Sequence, residues 1–443
     1  MHKRFLQAVL PAMLAFTFNS LFAIVDGFFV GRNVGDLGLA AVNIAFPLVS
    51  LVMALGTGLG MGGAVQLAEA RGRGDHDQAS RVLGNTLVLL ALASLIITSL
   101  YLLAYRPLLA VLGAAGQVMT HATAYIKVIA LGAACQLFSS GLAPILRNYG
   151  ASLPAMLAMV SGFVTNIILD ALFVSVFQWG LAGAAWATIL GQAITLLFCL
   201  IFLRKELRRL PLTALLPSRR SCLNTLKIGG SPFGVTLCPN LSILLINRAA
   251  VTWGGDTAVA AYAVISYVVC IGLLLLQGVS DGSQPLISFY VGCEDQSSVR
   301  QIRRMAYRFG FGTALLTFLL LVLLRRQIPI FFGASAAASE MAAAALPLFA
   351  FGILFVSFCR VATAYFYSVH HTLPAYILTY GEPALLLILL LILPYFFKLS
   401  GVWAATPVAQ VLLALIVPFL QRRAERTSVI PLSPAQSTAH EVN

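Results

Sequence analysis

Apolar runs longer than the roughly 20 residues needed to cross ~30 Å of hydrocarbon recur twelve times along this chain. They lie at about 5–31, 38–67, 82–105, 121–146, 154–177, 180–203, 228–253, 258–290, 303–325, 341–368, 373–397 and 400–420. No soluble domain could bury that many. With 60% hydrophobic and 10% charged residues in a chain of 443, the expectation is an all-α polytopic membrane protein. The first run follows His2-Lys3-Arg4, is too long for a signal-peptide core and lacks a cleavage site, so it reads as a retained span.

The net charge of +13 has a simple source in such a chain, namely cytoplasmic loops rich in Lys and Arg. This excludes nucleic acid as the expected partner. With the N-terminus inside, the inner regions hold Lys3, Arg4, Arg71, Arg73, Arg81, Arg147, seven cations between 204 and 227, Arg300, Arg303, Arg304, Arg308, Arg422, Arg423 and Arg426. The outer regions hold Arg32, Arg106, Arg248, Arg325, Arg326 and Lys398. Both termini are therefore expected in the cytoplasm, with the chain in the cell (inner) membrane. The seven cysteines are scattered without a C-x-x-C pair, so neither a disulfide framework nor a zinc site is indicated.

The chain repeats. At an offset of 220, Asp36, Ala40, Ala41, Gly58, Gly62, Gly72, Asp75, Gly132, Leu153 and Pro154 fall on identical residues. At 218, Gly183, Ala187, Thr188 and Gln192 meet Gly401, Ala405, Thr406 and Gln410. The expected organisation is an N-terminal six-helix lobe over 1–203, a basic linker over 204–227, a C-terminal six-helix lobe over 228–420 and a disordered cytoplasmic tail over 421–443. Six spans per half give both halves the same topology, hence a pseudo-two-fold along the membrane normal and a central cleft. That is the layout of an alternating-access transporter.

Ionisable groups inside spans are costly, by roughly 2.5–3.5 kcal/mol on insertion scales, and mark function. Asn166 and Asp170 are at i and i+4 in the fifth span and share a face. At ~1.5 Å per residue, Asp26, Asp170, Thr188 and Asn166 all lie roughly 8–16 Å below the outer surface. A carboxylate pair with amide and hydroxyl oxygens suits a proton or a hard cation such as Na⁺. A carboxyl that only hydrogen-bonds a neighbouring helix is the blander reading. Asp26 aligns with Asn247 and Asp170 with Leu390, which places a cation site in the first lobe only.

In the second lobe Asp281, Arg360 and Glu382 lie at similar depth near the cytoplasmic ends of their spans. They read either as mutual charge compensation or as a cleft-facing cluster that senses substrate charge. Pro11 and Pro232 occupy equivalent points and are hinge candidates, a static bend being the other reading. The Gly56–Gly63 run reads as close helix packing. His370-His371 read as a solvated loop end. Phe22, Phe46, Phe138, Phe163 and Tyr267 are candidates for a hydrophobic cleft lining. No H-E-x-x-H, G-x-S-x-G or Walker motif is present, which argues against an enzyme and an ATP-driven pump.

Val25-Asp26 followed by Phe29-Val30-Gly31, Asn43 to Pro47, Asn166-Ile-Ile-Leu-Asp170 and Gly282-Ser-Gln-Pro-Leu-Ile-Ser288 resemble the MATE (multidrug and toxic compound extrusion) family, nearest the MepA-type bacterial branch. The resemblance covers nearly the whole chain up to about Arg423. It implies a V-shaped pair of six-helix lobes exporting amphipathic, often cationic compounds in exchange for H⁺ or Na⁺, as a monomer among membrane lipids and with no other cofactor. It also implies a cation site at the positions matching Asp26, Asn166, Asp170 and Thr188. Ala171 follows the aspartate where many relatives have Pro, and the seventh span lacks the acidic residue another branch carries. A major-facilitator transporter would also have twelve spans, but Glu69-Ala-Arg-Gly-Arg-Gly-Asp75 does not match that family's loop. A lipid-linked-sugar flippase of the same superfamily would carry more cleft-facing basic residues than Arg360. A channel would need a symmetric polar pore.

Overall fold

The computed structural model describes residues 1–427, apart from the side chains of residues 21–24, 36, 426 and 427. The described residues are helical from end to end. The first six spans are α1 (His2–Val34), α2 (Asp36–Gly72), α3 (His76–Val111), α4 (Gly116–Asn148), α5 (Ser152–Asp170) and α6 (Gly180–Arg208). A π-helical turn, Ala171–Val176, extends α5. The continuous run Arg219–Gly292 breaks at Gly255 (φ 64°), giving α7 (219–254) and α8 (256–292). Then come α9 (Gln296–Leu323) and α10 (Ala336–Ser368). The run Thr372–Thr427 breaks at Lys398 (φ 51°), giving α11 (372–397) and α12 (399–427). Each of the two broken runs crosses twice, so ten long apolar helices supply twelve spans.

The helices run deeper into the basic linker than hydropathy suggests. A 3₁₀ turn, Leu212–Leu215, docks there on α3, with Ala214 buried. Ser218 N–H donates to Asn85 Oδ1 at 2.9 Å. The expected tail after 420 starts as helix, because α12 continues to Thr427; the rest of that segment lies outside the described residues.

The backbone repeats as the sequence does. Left-handed residues occur at Gly35, Gly74, Gly113, Gly150 and Gln178, and again 220 residues later at Gly255, Glu294, Gly333, His370 and Lys398. These are the turns that end the helices, where the chain must enter αL. Asp75 and Asp295 then cap α3 and α9 in the same way, accepting backbone N–H bonds from Gln78 and from Ser297 and Ser298. Hydrogen bonds from Ser298 and Ser297 hold the Asp295 carboxyl down to about 2.

Three apolar cores follow from this arrangement. One lies wholly within α1–α6. A second lies within α7–α12 on the side away from the linker. The third joins Phe5, Val9, Met61 and Val65 of the first lobe to Ile228, Val279 and Ile287 of the second, on the linker side. The lobes thus share a core at one end and have separate cores at the other, which produces the V.

The shared end is built from the repeated glycines. A Cβ on Gly58 would lie 2.9 Å from Gly229 O in α7, and one on Gly282 would lie 2.6 Å from Val9 Cα in α1. Gly62 abuts Thr225 O, Gly72 abuts Phe289 O, Gly278 abuts Met13 and Gly292 abuts Glu69 O. These six are three repeat pairs, 58/278, 62/282 and 72/292, so the seam is pseudo-symmetric. In the Gly56–Gly63 run the faces alternate. Gly56 and Gly60 meet Leu137 and Gly141 of α4, while Gly58 and Gly62 meet α7. Close helix packing is thus what the run provides, within the lobe and between lobes.

Polar bonds reinforce the seam. Asn148 Nδ2 donates to Gln284 Oε1 at 3.0 Å and Gln284 Nε2 donates to Asn148 Oδ1 at 3.2 Å. Gln66 Nε2 donates to Thr225 Oγ1 at 2.9 Å. His370 lies in the exposed turn after α10 and also places Nε2 2.6 Å from Glu69 Oε2 across the seam. Substituting Gly62→Ala forces α2 off the α7 backbone and should cost about 1–3 kcal/mol. Thermal unfolding of the purified protein should show a clear drop for Gly62→Ala and none for Gly312→Ala, where a new Cβ meets nothing within 4 Å.

Candidate functional site

Four helices of the first lobe converge in the half away from the linker. Asn166 and Asp170 on α5 are both buried, at 2% and 0% exposure. Asn166 Nδ2 reaches Thr188 Oγ1 of α6 at 3.5 Å, the outer limit of a hydrogen bond. Asp26 of α1 brings its carboxyl within hydrogen-bonding reach of the Asp170 carboxyl. Tyr125 of α4, also buried, lies close enough to feel both carboxylates. The structure therefore brings together the four residues picked from the sequence, with the buried Tyr125 of α4 within electrostatic range of both carboxylates.

The site's polar atoms are short of partners. Among the described residues no donor reaches Asp170 Oδ1 or Oδ2, and none reaches Asn166 Oδ1. Two carboxyls in contact supply a hydrogen bond only if one holds a proton. The alternative that satisfies these oxygens is a cation among them, for which carboxylate, amide and hydroxyl oxygens are suitable ligands. Buried polar atoms without partners are costly, so such a group is retained for a ligand it meets in another state.

The backbone beside the site is unusual. The α-helix of α5 ends at Asp170 and continues as the π turn, with Phe177 N–H donating to Leu172 O at 2.8 Å. Ala171 keeps helical dihedrals, so the chain runs on without the break that Pro would favour. π turns interrupt helices mostly at functional positions. Asn33 Nδ2 of α1 donates to Ser175 Oγ at 3.0 Å, tying α1 to this turn just beyond the carboxylates. Phe173 stacks on Trp179 at 4.8 Å between ring centroids and closes the end of α5.

The second lobe differs. At the spacing of 220, Leu390 stands at the counterpart of Asp170 and Ile246 at that of Asp26, with Asn247 next to it. Asp281, Arg360 and Glu382 do not form one triad. Asp281 Oδ2 pairs across the seam with Arg147 Nη2 of α4 at 3.4 Å, both side chains 4% exposed. Gln277 bridges the others, donating to Asp281 Oδ1 at 2.6 Å and accepting from Arg360 Nη1 at 3.2 Å. Glu382 instead accepts from Gln410 at 3.1 Å, and with Arg360 it lines a small cavity. Sequence reading missed the role of Arg147 because the apolar run ends one residue before it. The helix extends to Asn148 and carries the arginine into the protein.

Pro11 and Pro232 both lie inside continuous helix, Pro232 buried and Pro11 half-buried. Among the aromatic candidates, Phe46 and Tyr267 are exposed, Phe138 is half-buried and Phe163 is buried. Phe22 falls outside the described side chains. Among the described residues there is no group of three or more His, Cys, Asp or Glu placed to hold a metal.

Removing one partner of a buried ion pair strands the other charge, at a cost of about 3–5 kcal/mol. Arg147→Ala should therefore lower the yield of folded protein in the membrane strongly, and Arg360→Ala much less. Fluorescence-detected gel filtration of tagged variants checks the order; equal losses would return Arg360 to the role of structural counter-charge.

The MatE family profile matches residues 11–172 and 232–393, one match in each lobe. Among curated relatives, the chain is 25% identical over 281 residues to "Multidrug export protein MepA" of Staphylococcus saprophyticus subsp. saprophyticus. That match covers 63% of this chain and 62% of the relative. It is 24% identical over 289 residues to the protein of the same name from Staphylococcus aureus, covering 65% of this chain and 64% of the relative. The chain thus spans somewhat under two thirds of the length of the curated relatives it matches. Among solved structures, one described as the outward-facing conformation of a multidrug resistance MATE family transporter superposes with a TM-score of 0.91 at 25% identity, over 96% of each chain. A MOP superfamily transporter from Pyrococcus furiosus, whose description notes a reversed polarity of its binding pocket, gives 0.89 at 26% identity, again over 96% of each chain. With both lobes matched by its profile, the chain belongs to the MatE family of membrane transporters.

Proposed function

We propose that this protein is a secondary active exporter of amphipathic, often cationic compounds, which it exchanges for H⁺ or Na⁺ by alternating access. The observation that carries the reading is Asp170: fully buried, in contact with a second carboxyl, and with neither oxygen reached by a donor. Such a site is built to take up a positive charge and release it. Its restriction to one lobe leaves the cleft between the lobes for the compound carried.

The charges along the chain orient the molecule. The linker end carries Arg71, Arg73, Arg81 and Arg147 together with the linker cations, and faces the cytoplasm by the positive-inside rule. The seam then closes the cytoplasmic side and the V opens outward. The similarity to an outward-facing relative supports the same orientation.

The mechanism follows from α1. Its linker-side half packs on α8 through Val9 and Met13, and its other half holds Asp26 and Asn33 against α5 and the π turn. A cation from outside satisfies the Asp26–Asp170 pair and holds α1 to α5. Its departure removes that tie and leaves like charges in contact. A single helix thus reports the state of the site to the seam. Pro11, within the half of α1 that lies on the seam, lacks an N–H for the helix ladder and lowers the cost of bending there. Na⁺, if carried, would be held by Asp26, Asn166 Oδ1, Asp170 and Thr188 Oγ1, all oxygen ligands. The carried compound needs no covalent chemistry, and the protein acts as a monomer with membrane lipid around it.

Asp170→Asn keeps size and hydrogen-bonding capacity but removes the charge to be neutralised. It should abolish efflux of a fluorescent cationic dye from vesicles under an imposed proton or Na⁺ gradient, with near-normal expression. Asp26→Asn should act alike, and the double variant should be no worse than either, because residues acting as a unit are non-additive. Wild-type efflux by Asp170→Asn under both gradients would rule out this site. Reporter fusions after Arg73, Arg209 and Arg304 should report cytoplasm, and fusions near Trp179 and Asp256 the outside; the inverse would reverse the direction of transport.

A further inference from the structure

A second cavity, of about 250 Å³, lies on the linker side where the two lobes meet. Three arginines line it: Arg4 from the start of α1, Arg71 from the end of α2 and Arg147 from the end of α4. No carboxylate is among its lining residues. The second lobe contributes an apolar wall from Leu286 and Phe289 of α8. Its volume is close to the lower end of the range for small-molecule pockets, roughly 300 Å³ upward.

The three guanidiniums are incompletely satisfied. Arg4 Nη1 donates to the Tyr290 hydroxyl at 3.2 Å, and Arg71 Nη1 donates to the Asn148 carbonyl at 2.8 Å while lying over the Tyr149 ring at 4.9 Å. Both partners are neutral. Arg147 is 4% exposed and has its own carboxylate in Asp281. Arg4 and Arg71 make no ion pair among the described residues. Ser152, at the first turn of α5, also lines it, and no side chain caps that helix start. The free N–H groups and positive end of α5 therefore add to the field there.

We propose that this cavity binds a phosphate group, and that the phosphate of an anionic phospholipid headgroup is its natural occupant. Arginine forks suit phosphate oxygens, and Arg4 and Arg71 offer most of their donors. Arg4, Arg71 and Arg147 all lie within the terminal turn of their helices, the depth at which lipid phosphates sit. Basic pockets between spans are where such headgroups bind. The apolar wall at Leu286 and Phe289 fits the start of an acyl chain. Because both lobes line the cavity, an occupant ties them together at the closed end. The inference does not depend on the cation site or on the compound exported.

The full-length protein in neutral detergent is titrated with phosphatidylglycerol, with phosphatidylcholine, and with inorganic phosphate, and the thermal unfolding midpoint is read. Native mass spectrometry counts retained lipid. Phosphatidylglycerol should raise the midpoint and be retained, and phosphatidylcholine should do neither. The double variant Arg4→Gln, Arg71→Gln should weaken the phosphatidylglycerol effect by roughly thirtyfold, about fivefold for each cation removed. The control Arg300→Gln, Arg304→Gln, which leaves the cavity untouched, should not. If inorganic phosphate protects as well as the lipid and in the same arginine-dependent way, the phosphate site stands and its occupant is a soluble phosphate. Equal effects of the two lipids, or equal losses in the cavity and control variants, would overturn the site.

Discussion

The structure depends on backbone meeting backbone at the seam. Six glycines, three from each half, let α2 lie against α7 and α8, and let α8 lie against α1 and α2, with no side chain between them. In a membrane no hydrophobic driving force separates helix from lipid, so close van der Waals contact and interhelical hydrogen bonds must hold the lobes. The seam has both. Glycine inside a helix costs about 1 kcal/mol relative to alanine, and the chain bears that cost at repeated positions. The contact is extensive but confined to one end, where it joins the lobes.

Against this symmetric joint the lobes carry asymmetric charge. The first holds Asp26 and Asp170 together, with neither Asp170 oxygen reached by a donor among the described residues. The second holds a chain of polar contacts, from Asp281 through Gln277 to Arg360, that begins at Arg147 in the first lobe. One set is unsatisfied and the other is mostly satisfied across the seam. The first is the cation site proposed above, and the second ties the two lobes together. Helix α1 connects them physically, resting on α8 at one end and on the carboxylates at the other.

The twelve spans and the two six-helix lobes were legible in the sequence because transfer free energy of long apolar runs is a strong signal, and because the repeat reappears in the backbone turns at the same spacing of 220. The grouping of Asp26, Asn166, Asp170 and Thr188 was legible because depth along a straight helix is nearly fixed by residue count. Depth says nothing of azimuth, which is why Asp281 could be assigned to Arg360 when its partner is Arg147. Helix ends were also hidden. Polar residues such as Arg147 and Ser218 lower hydropathy where the helix or a docked turn continues, since a buried partner, not the residue's own transfer energy, decides its place. His370 stands in an exposed loop end as expected, but its contact with Glu69, 301 positions away in sequence, was hidden.

The central claim is that the charge state of the Asp26–Asp170 pair sets the opening of the V through α1. Spin labels in a cysteine-free background measure it most directly, with one pair at Trp179 and Thr257 on the open side and a second pair at Asp77 and Gln296 on the seam side. On acidification the account predicts that the two distance distributions shift in opposite senses in the wild type and stay fixed in Asp170→Asn. Distances that are insensitive to proton and Na⁺ in the wild type, or that move identically in Asp170→Asn, would contradict it.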